Sequence, residues 1–167
     1  MYNISHWLRL SEEKEQRFVM DNNNVIISIQ GQQAYENQEK ETIELVTEGR
    51  LEEDGDAGFT LSYQESELTG LEGTLTTFQI EKDRITLLRV GEVNSQMVFE
   101  EGRRHLSMYD TPYGALSVGI STRRMRYDLG NTGGSIEINY AIEIDHAVAG
   151  ENLFRIQVRE KKPLLRQ

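Results

Sequence analysis

Apolar and polar residues alternate with a period of two along most of this chain, which is the signature of strands with one buried and one wet face. In Val25–Gln32, Val25, Ile27 and Ile29 fall on one face, and Ile26 and Ser28 on the other. After a polar loop, Gln33–Lys40, the pattern returns in Glu41–Glu52, where Ile43, Leu45 and Thr47 alternate with Glu44, Val46 and Glu48. Asp54-Gly55 is a hairpin dipeptide. Phe59, Leu61 and Tyr63 then share a face, as do Thr74, Thr76, Phe78 and Ile80. Lys82-Asp83 turns the chain into Arg84–Gly91. Asn94–Glu100, with Met97 and Phe99 in phase, and Arg103–Asp110 follow around a turn at Glu101-Gly102. Pro112 is expected to break the pattern at Thr111–Gly114, because proline fixes φ and donates no hydrogen bond.

Ala115–Leu129 is long and changes phase. Leu116, Val118 and Ile120 fit one alternation, and Met125, Tyr127 and Leu129 the other. One extra residue near Ser121–Arg124 would do this, so a β-bulge is predicted there. Ser135–Asp145 alternates most cleanly, with Ile136, Ile138, Tyr140, Ile142 and Ile144 on one face. His146–Gly150 reads as a connection. Glu151–Glu160 ends the series with Phe154, Ile156 and Val158 in phase. About ten short-linked strands with no convincing helix after residue 24 predict a single all-β antiparallel meander, closed as a barrel so that no edge is left open.

The ends differ. Residues 1–24 read as an extension, an arm or a short helix capped by Ser11, with Trp7, Leu8 and Leu10 able to dock on the barrel. Met20 precedes Asp-Asn-Asn-Asn and the first strand. It is expected to be a native start, which the intact mass of the protein from its own host would check. Residues 25–160 form the expected barrel domain, and 161–167 a basic tail.

Composition narrows the chemistry. The chain has 167 residues and a net charge of -10, a balance that repels nucleic-acid phosphates and anionic membranes. The basic clusters Arg103-Arg104 and Arg123–Arg126 are expected to pair with carboxylates. Without cysteine, disulfides, thiolate catalysis and Cys-based metal sites are excluded. No signal peptide or membrane-spanning run is visible, so a cytoplasmic location is expected. His6, His105 and His146 share no ligand spacing, and G-x-S-x-G and phosphate-loop patterns are missing, so neither metal nor cofactor is expected.

Three polar stretches remain as candidates. The acidic loop between the third and fourth strands carries Tyr63, Glu65, Glu67 and Glu72. Tyr63, Glu65 and Glu67 alternate, and could point together at a barrel mouth, for acid/base work or cation binding, or could simply be a solvated hairpin end. The second set is Arg89, Glu92, Asn94 and Gln96. An inward Arg89 could grip a carboxylate in bidentate fashion or make an internal ion pair with Glu65 or Glu92. The third set, Tyr109, Thr111 and Tyr113 around Pro112, could line a pocket entrance or cap the core.

Five stretches, IELVTEG (43–49), LSYQESELTGLEG (61–73), VGEVNSQMVFE (90–100), YDTPYG (109–114) and EIDHAVAGEN (143–152), resemble in order the DUF1934, or YwiB-like, proteins of Gram-positive bacteria. The resemblance covers about Val25 to Glu160. It implies a calycin-like barrel, related in architecture to lipocalins, and brings no function with it.

Three uses of such a barrel stay open: a holder of one small, partly apolar molecule, a packed protein-interaction module, or an enzyme using the acidic loop. A holder should keep small or polar inward residues and a cavity of roughly 300 Å³ or more. The Thr74–Thr77 segment and the Ala115, Ser117 and Gly119 face favour a cavity, and Ile136–Ile144 favours packing. A homodimer through Leu75 and Thr77, or through the outer face of Met125–Tyr127, is an alternative to a monomer.

Overall fold

The computed structural model describes residues 23–35, 38–144 and 147–161, and for Tyr109 and Thr111 the backbone alone. Ten strands form the barrel: β1 Val25–Ala34, β2 Glu41–Glu53, β3 Phe59–Gln64, β4 Leu75–Ile80, β5 Ile85–Val90, β6 Asn94–Phe99, β7 Arg104–Thr111, β8 Gly114–Gly130, β9 Gly133–Ile144 and β10 Ala147–Glu160. Each pairs antiparallel with its chain neighbours, and β1 closes the barrel by pairing with both β2 and β10. The extension and the end of the tail, with the start expected at Met20, lie outside the described residues. Asn24 seats the first strand: its side chain donates to Leu51 O at 2.9 Å and accepts from Leu51 N at 2.8 Å, and its carbonyl accepts from Lys161 N at 2.9 Å.

Alternation places the core as the pattern requires. Val25, Ile27, Leu61, Phe78, Ile80, Ile85, Leu87, Met97, Phe99, Ile136, Ile138, Ile156 and Val158 are buried. The register aligns them in rows across neighbouring strands. Phe59, Ile80, Ile85 and Phe99 form one row, and Leu61, Phe78, Leu87 and Met97 the next. The rings of Phe99, Tyr140 and Phe154 bridge the interior between β6, β9 and β10, with centroids 4.9 and 5.7 Å apart. The middle of the barrel is therefore filled by its own side chains.

The bulge occurs where the phase change placed it, between Thr122 and Arg124 opposite β9. It turns Met125, Tyr127 and Leu129 inward against the core, which removes the apolar outer face expected at Met125–Tyr127. The pattern breaks at Pro112 as expected: β7 ends at Thr111 and β8 begins at Gly114, with Pro112-Tyr113 as the hairpin turn, where a fixed φ suits the chain. Two local expectations are corrected. Of the connection expected at His146–Gly150, His146 lies outside the described residues, and the rest is part of β10, which starts at Ala147 and shifts register between Val148 and Gly150. Ser117 and Gly119 line no cavity, because they lie on the outward phase; Arg104 crosses Gly119 on the outside to reach Glu143. Surface arginines pair with carboxylates, as in Arg84–Glu100 at 2.7 Å and Arg103–Glu100 at 3.3 Å.

Candidate functional site

Above the two apolar rows the next row turns polar. Tyr63, Thr76, Arg89 and Ser95 are register partners on β3 to β6, and the backbone position opposite Ser95 is Tyr109. Tyr63, Thr76 and Ser95 are buried and Arg89 is half-buried. Beyond this row β3 leaves the barrel through Glu65, which stays buried and keeps the inward phase of Tyr63.

Glu65 is enclosed by donors. Thr76 Oγ1 donates to Oε1 at 2.7 Å and Thr69 Oγ1 to Oε2 at 2.8 Å. The Tyr63 phenol also hydrogen-bonds to Glu65. Burial above all, then the charge of Glu65, pushes that phenol well above its ordinary value of 10.0, against a smaller opposite pull from Arg89. Tyr63 thus keeps its proton and remains a donor to the carboxylate.

The Thr69 bond ties down the β3–β4 loop. A 3-10 turn, Glu67–Thr69, starts at Ser66, whose Oγ accepts from Leu68 N at 3.3 Å, and ends at Gly70 with φ +73°. This turn ends the alternation at Ser66. Glu67 and Glu72 consequently face solvent and do not join Tyr63 and Glu65. Leu68 and Leu71 are set instead at the rim of the barrel mouth.

Beneath that rim is a cavity of about 240 Å³. Ile29, Leu45 and Phe154 supply its apolar wall, and Tyr63, Glu65, Arg89, Tyr140 and Asn152 its polar groups. It is smaller than the roughly 300 Å³ expected of a drug-sized site. Arg89 Nε is buried without a hydrogen-bond partner. No ion pair to Arg89 occurs among the described residues, so the internal pair considered with Glu65 or Glu92 is not formed. Ser95 Oγ, beside Arg89 in the row, is likewise buried and unpartnered among the described residues.

The second set therefore divides. Arg89 points inward, whereas Glu92, Asn94 and Gln96 are exposed. Asn94 closes the β5–β6 turn through both side-chain atoms, accepting from Gly91 N at 3.1 Å and donating to Gly91 O at 3.2 Å. Gln96 contributes its carbonyl, which accepts from Ser107 Oγ. Of the third set, Tyr113 is fully exposed at the hairpin tip and neither lines the cavity nor caps the core. The side chains of Tyr109 and Thr111 lie outside the described atoms. Thr76, Tyr140, Asn152 and Phe154 are additions, while Thr69 belongs to the acidic loop already singled out. Asn152 was readable, because it continues the inward phase of Phe154, Ile156 and Val158.

A second depression, of about 720 Å³, lies elsewhere on the barrel, wide open and lined by Lys82, Asp83, Glu101, Arg126, Asp128 and Glu137 among others. Among the described residues no group of three or more histidines and carboxylates is placed to hold a metal ion.

Comparison with known proteins agrees with this architecture. The family described as "Domain of unknown function (DUF1934)" matches residues 27–156. The crystal structure of the ywiB protein from Bacillus subtilis superposes with a TM-score of 0.73 at 20% identity, covering 84% of this chain and 93% of that one. At that identity the likeness is one of fold. No curated protein matches the chain.

Proposed function

The chain belongs to the DUF1934 family, and we propose that this member holds one small, partly apolar molecule at the mouth of its barrel. One observation carries the reading. The barrel is filled through its middle, yet opens under the Glu65–Thr74 loop into a cavity of about 240 Å³ whose wall combines apolar groups with a few polar ones. Such a mixed wall suits a ligand with an apolar part and a polar one. In this reading the barrel is calycin-like in use as well as outline, and the protein works in the cytoplasm as a monomer or homodimer. The outward positions of β2 and β10, which include Glu44, Glu48, Arg155 and Arg159, support solubility, since a lipid-facing barrel carries an apolar band there. A role for Glu65 in catalysis is not favoured, because its oxygens are already engaged by Thr69 and Thr76.

A second reading, an interaction module, draws on Leu106, Met108 and Leu116, which stand exposed on the β7–β8 hairpin. Native mass spectrometry separates the two. Protein purified gently from its own host should be heavier, under native conditions, than its denatured chain by a reproducible small-molecule mass. A native mass equal to the chain mass overturns the holding reading, provided the protein also gains no thermal stability from a small-molecule extract of the same cells. Whole-chain multiples or a co-purifying protein would then favour the module.

A further inference from the structure

We propose that the head group recognised at the mouth is a carboxylate, taken by Arg89, on a molecule with a short apolar tail; this rests on the holding reading above. The argument begins with a charge that lacks an acceptor. Arg89 stands in an inward row between Thr76 and Ser95. Its Nε is shut off from water and has no partner. A buried charged donor is normally matched by an acceptor, because an unmatched one forfeits its hydration for nothing. Glu65 does not fill that place. It forms no ion pair with Arg89, and its two oxygens face Thr69, Thr76 and Tyr63. Among the described residues none supplies the acceptor, and an incoming ligand can.

The chemistry of the wall selects its kind. A guanidinium presents parallel N–H groups that match two oxygens held in one plane. Arg89 is the one cation among the described residues lining the cavity, and Glu65 is a carboxylate in the same wall. A monoanion brings one negative charge past Glu65 to Arg89, whereas a phosphate dianion brings two and is repelled more strongly. A neutral amide offers one acceptor and leaves the guanidinium charge unbalanced. The buried, unpartnered Ser95 Oγ, next to Arg89 in the row, is a further hydroxyl on the same side.

Size limits the tail. The cavity of about 240 Å³ equals the liquid volume of roughly eight waters. Its far wall is Ile29, Leu45 and Phe154, and the filled barrel middle stops a tail from going deeper. Short aliphatic or single-ring carboxylates fit; long-chain fatty acids do not.

The test uses the full chain, labelled with ¹⁵N, and titrations followed by amide resonances. The probes are butanoate, hexanoate and phenylacetate, their neutral primary amides, decanoate and inorganic phosphate. Hexanoate or phenylacetate should move the amides of Gly31, Tyr63, Arg89 and Phe154, and bind more tightly than the matching amide, decanoate or phosphate. Arg89→Met should weaken the carboxylates by about 10- to 100-fold, the range for a hydrogen bond to a charged group, and leave the amides unchanged. Arg89→Lys, which keeps the charge and loses the fork, should fall between, and it stands in if the methionine variant does not fold. Carboxylates and amides binding alike, or carboxylate binding that survives both substitutions, overturns the head-group assignment and leaves the holding reading intact. Phosphate binding as tightly as the carboxylates does the same. If no probe moves the mouth residues, the assignment is also overturned. The native-mass comparison then decides separately whether the mouth holds anything else.

Discussion

Glu65 offers the sharpest test of how the mouth is held together. It is buried, and it joins three parts of the structure: the end of β3, the loop through Thr69, and β4 through Thr76. Glu65→Ala removes the shared acceptor and strands two hydroxyls and the Tyr63 phenol. A hydrogen bond to a charged group contributes about 1.5–3 kcal/mol, and a buried donor left unpaired costs about 1–3 kcal/mol. Thr69 can turn toward Ser66 O, which it already reaches at 3.1 Å, so its bond is partly replaced; Thr76, fully buried, has only the Tyr63 phenol as a further side-chain partner. The expected loss is therefore about 2–4 kcal/mol rather than the sum of three bonds. For a chain of this size that lowers Tm by roughly 4–16 °C. Glu65→Gln keeps the shape and one strong acceptor, so about half that loss is expected. Urea unfolding followed by far-UV circular dichroism gives both values. Hydrogen exchange should show Thr69, Gly70 and Thr74 losing protection before the barrel does. A double-mutant cycle with Thr76→Val should return a coupling of about 1 kcal/mol or more. Glu65→Ala unfolding at the wild-type midpoint, with the loop equally protected, would refute this account of the mouth.

Three further outcomes follow from the same geometry. Tyr63, its phenol raised above 10.0 mainly by burial, stays protonated in the fold while the unfolded chain ionises, so stability present below pH 10 should fall as pH rises beyond it; Tyr63→Phe should leave the tyrosinate absorbance titration below about pH 11 unchanged and soften that alkaline loss. Glu100 is held below the usual 4.5 chiefly by the Arg84 hydrogen bonds, with Arg84, His105 and Arg103 adding their charges; its contribution is present above pH 4.5 and lost as pH falls through the lower folded value, so Glu100→Gln should flatten the acid limb of a Tm-against-pH curve. A Cβ on Gly49 would stand 2.3 Å from Ile27 Cδ1 and 2.6 Å from the backbone oxygen of Ser62, so Gly49→Ala should cost about 1–3 kcal/mol in urea unfolding, whereas Gly130→Ala, with nothing within 4 Å, should cost nothing measurable.

The barrel was legible in the chain because strand alternation is a local property with a large burial consequence. Where phase alone decides, as in Ile136–Ile142 or across the bulge at Thr122, sequence and structure agree. The site was less legible, for identifiable reasons. Alternation carried Tyr63 and Glu65 inward but was extended to Glu67, where a Ser66-capped 3-10 turn resets direction. Glu92, Asn94 and Gln96 were grouped with Arg89 by proximity in the chain, although the β5–β6 turn sends them out. The cavity joins β1, β2, β9 and β10 to β3 and β5, and nothing within one strand announces a partner more than a hundred residues away. Ser117 and Gly119 show the reverse error: small residues suggested a hollow interior, but both lie on the outward phase, and Gly119 makes room there for the Arg104–Glu143 pair.

The pairing of the arginines is the last argument about the mouth. Arg50, Arg84, Arg103, Arg104, Arg123 and Arg155 each reach a carboxylate, and each side chain is a third or more exposed. Exposed pairs contribute little, because water already solvates both charges. Arg89, whose Nε is buried without a hydrogen-bond partner, forms no ion pair among the described residues. Packing does not require a guanidinium there, since methionine has a similar reach and no charge to desolvate. Nor does alternation, because Ile85 and Leu87 occupy the same inward phase of β5. A position that breaks the local rule, with no compensating ion pair among the described residues, is where a functional demand is expected to sit. If the proposed anion fills this place, hexanoate should raise Tm in the wild type and raise it less in Arg89→Met at the same concentration.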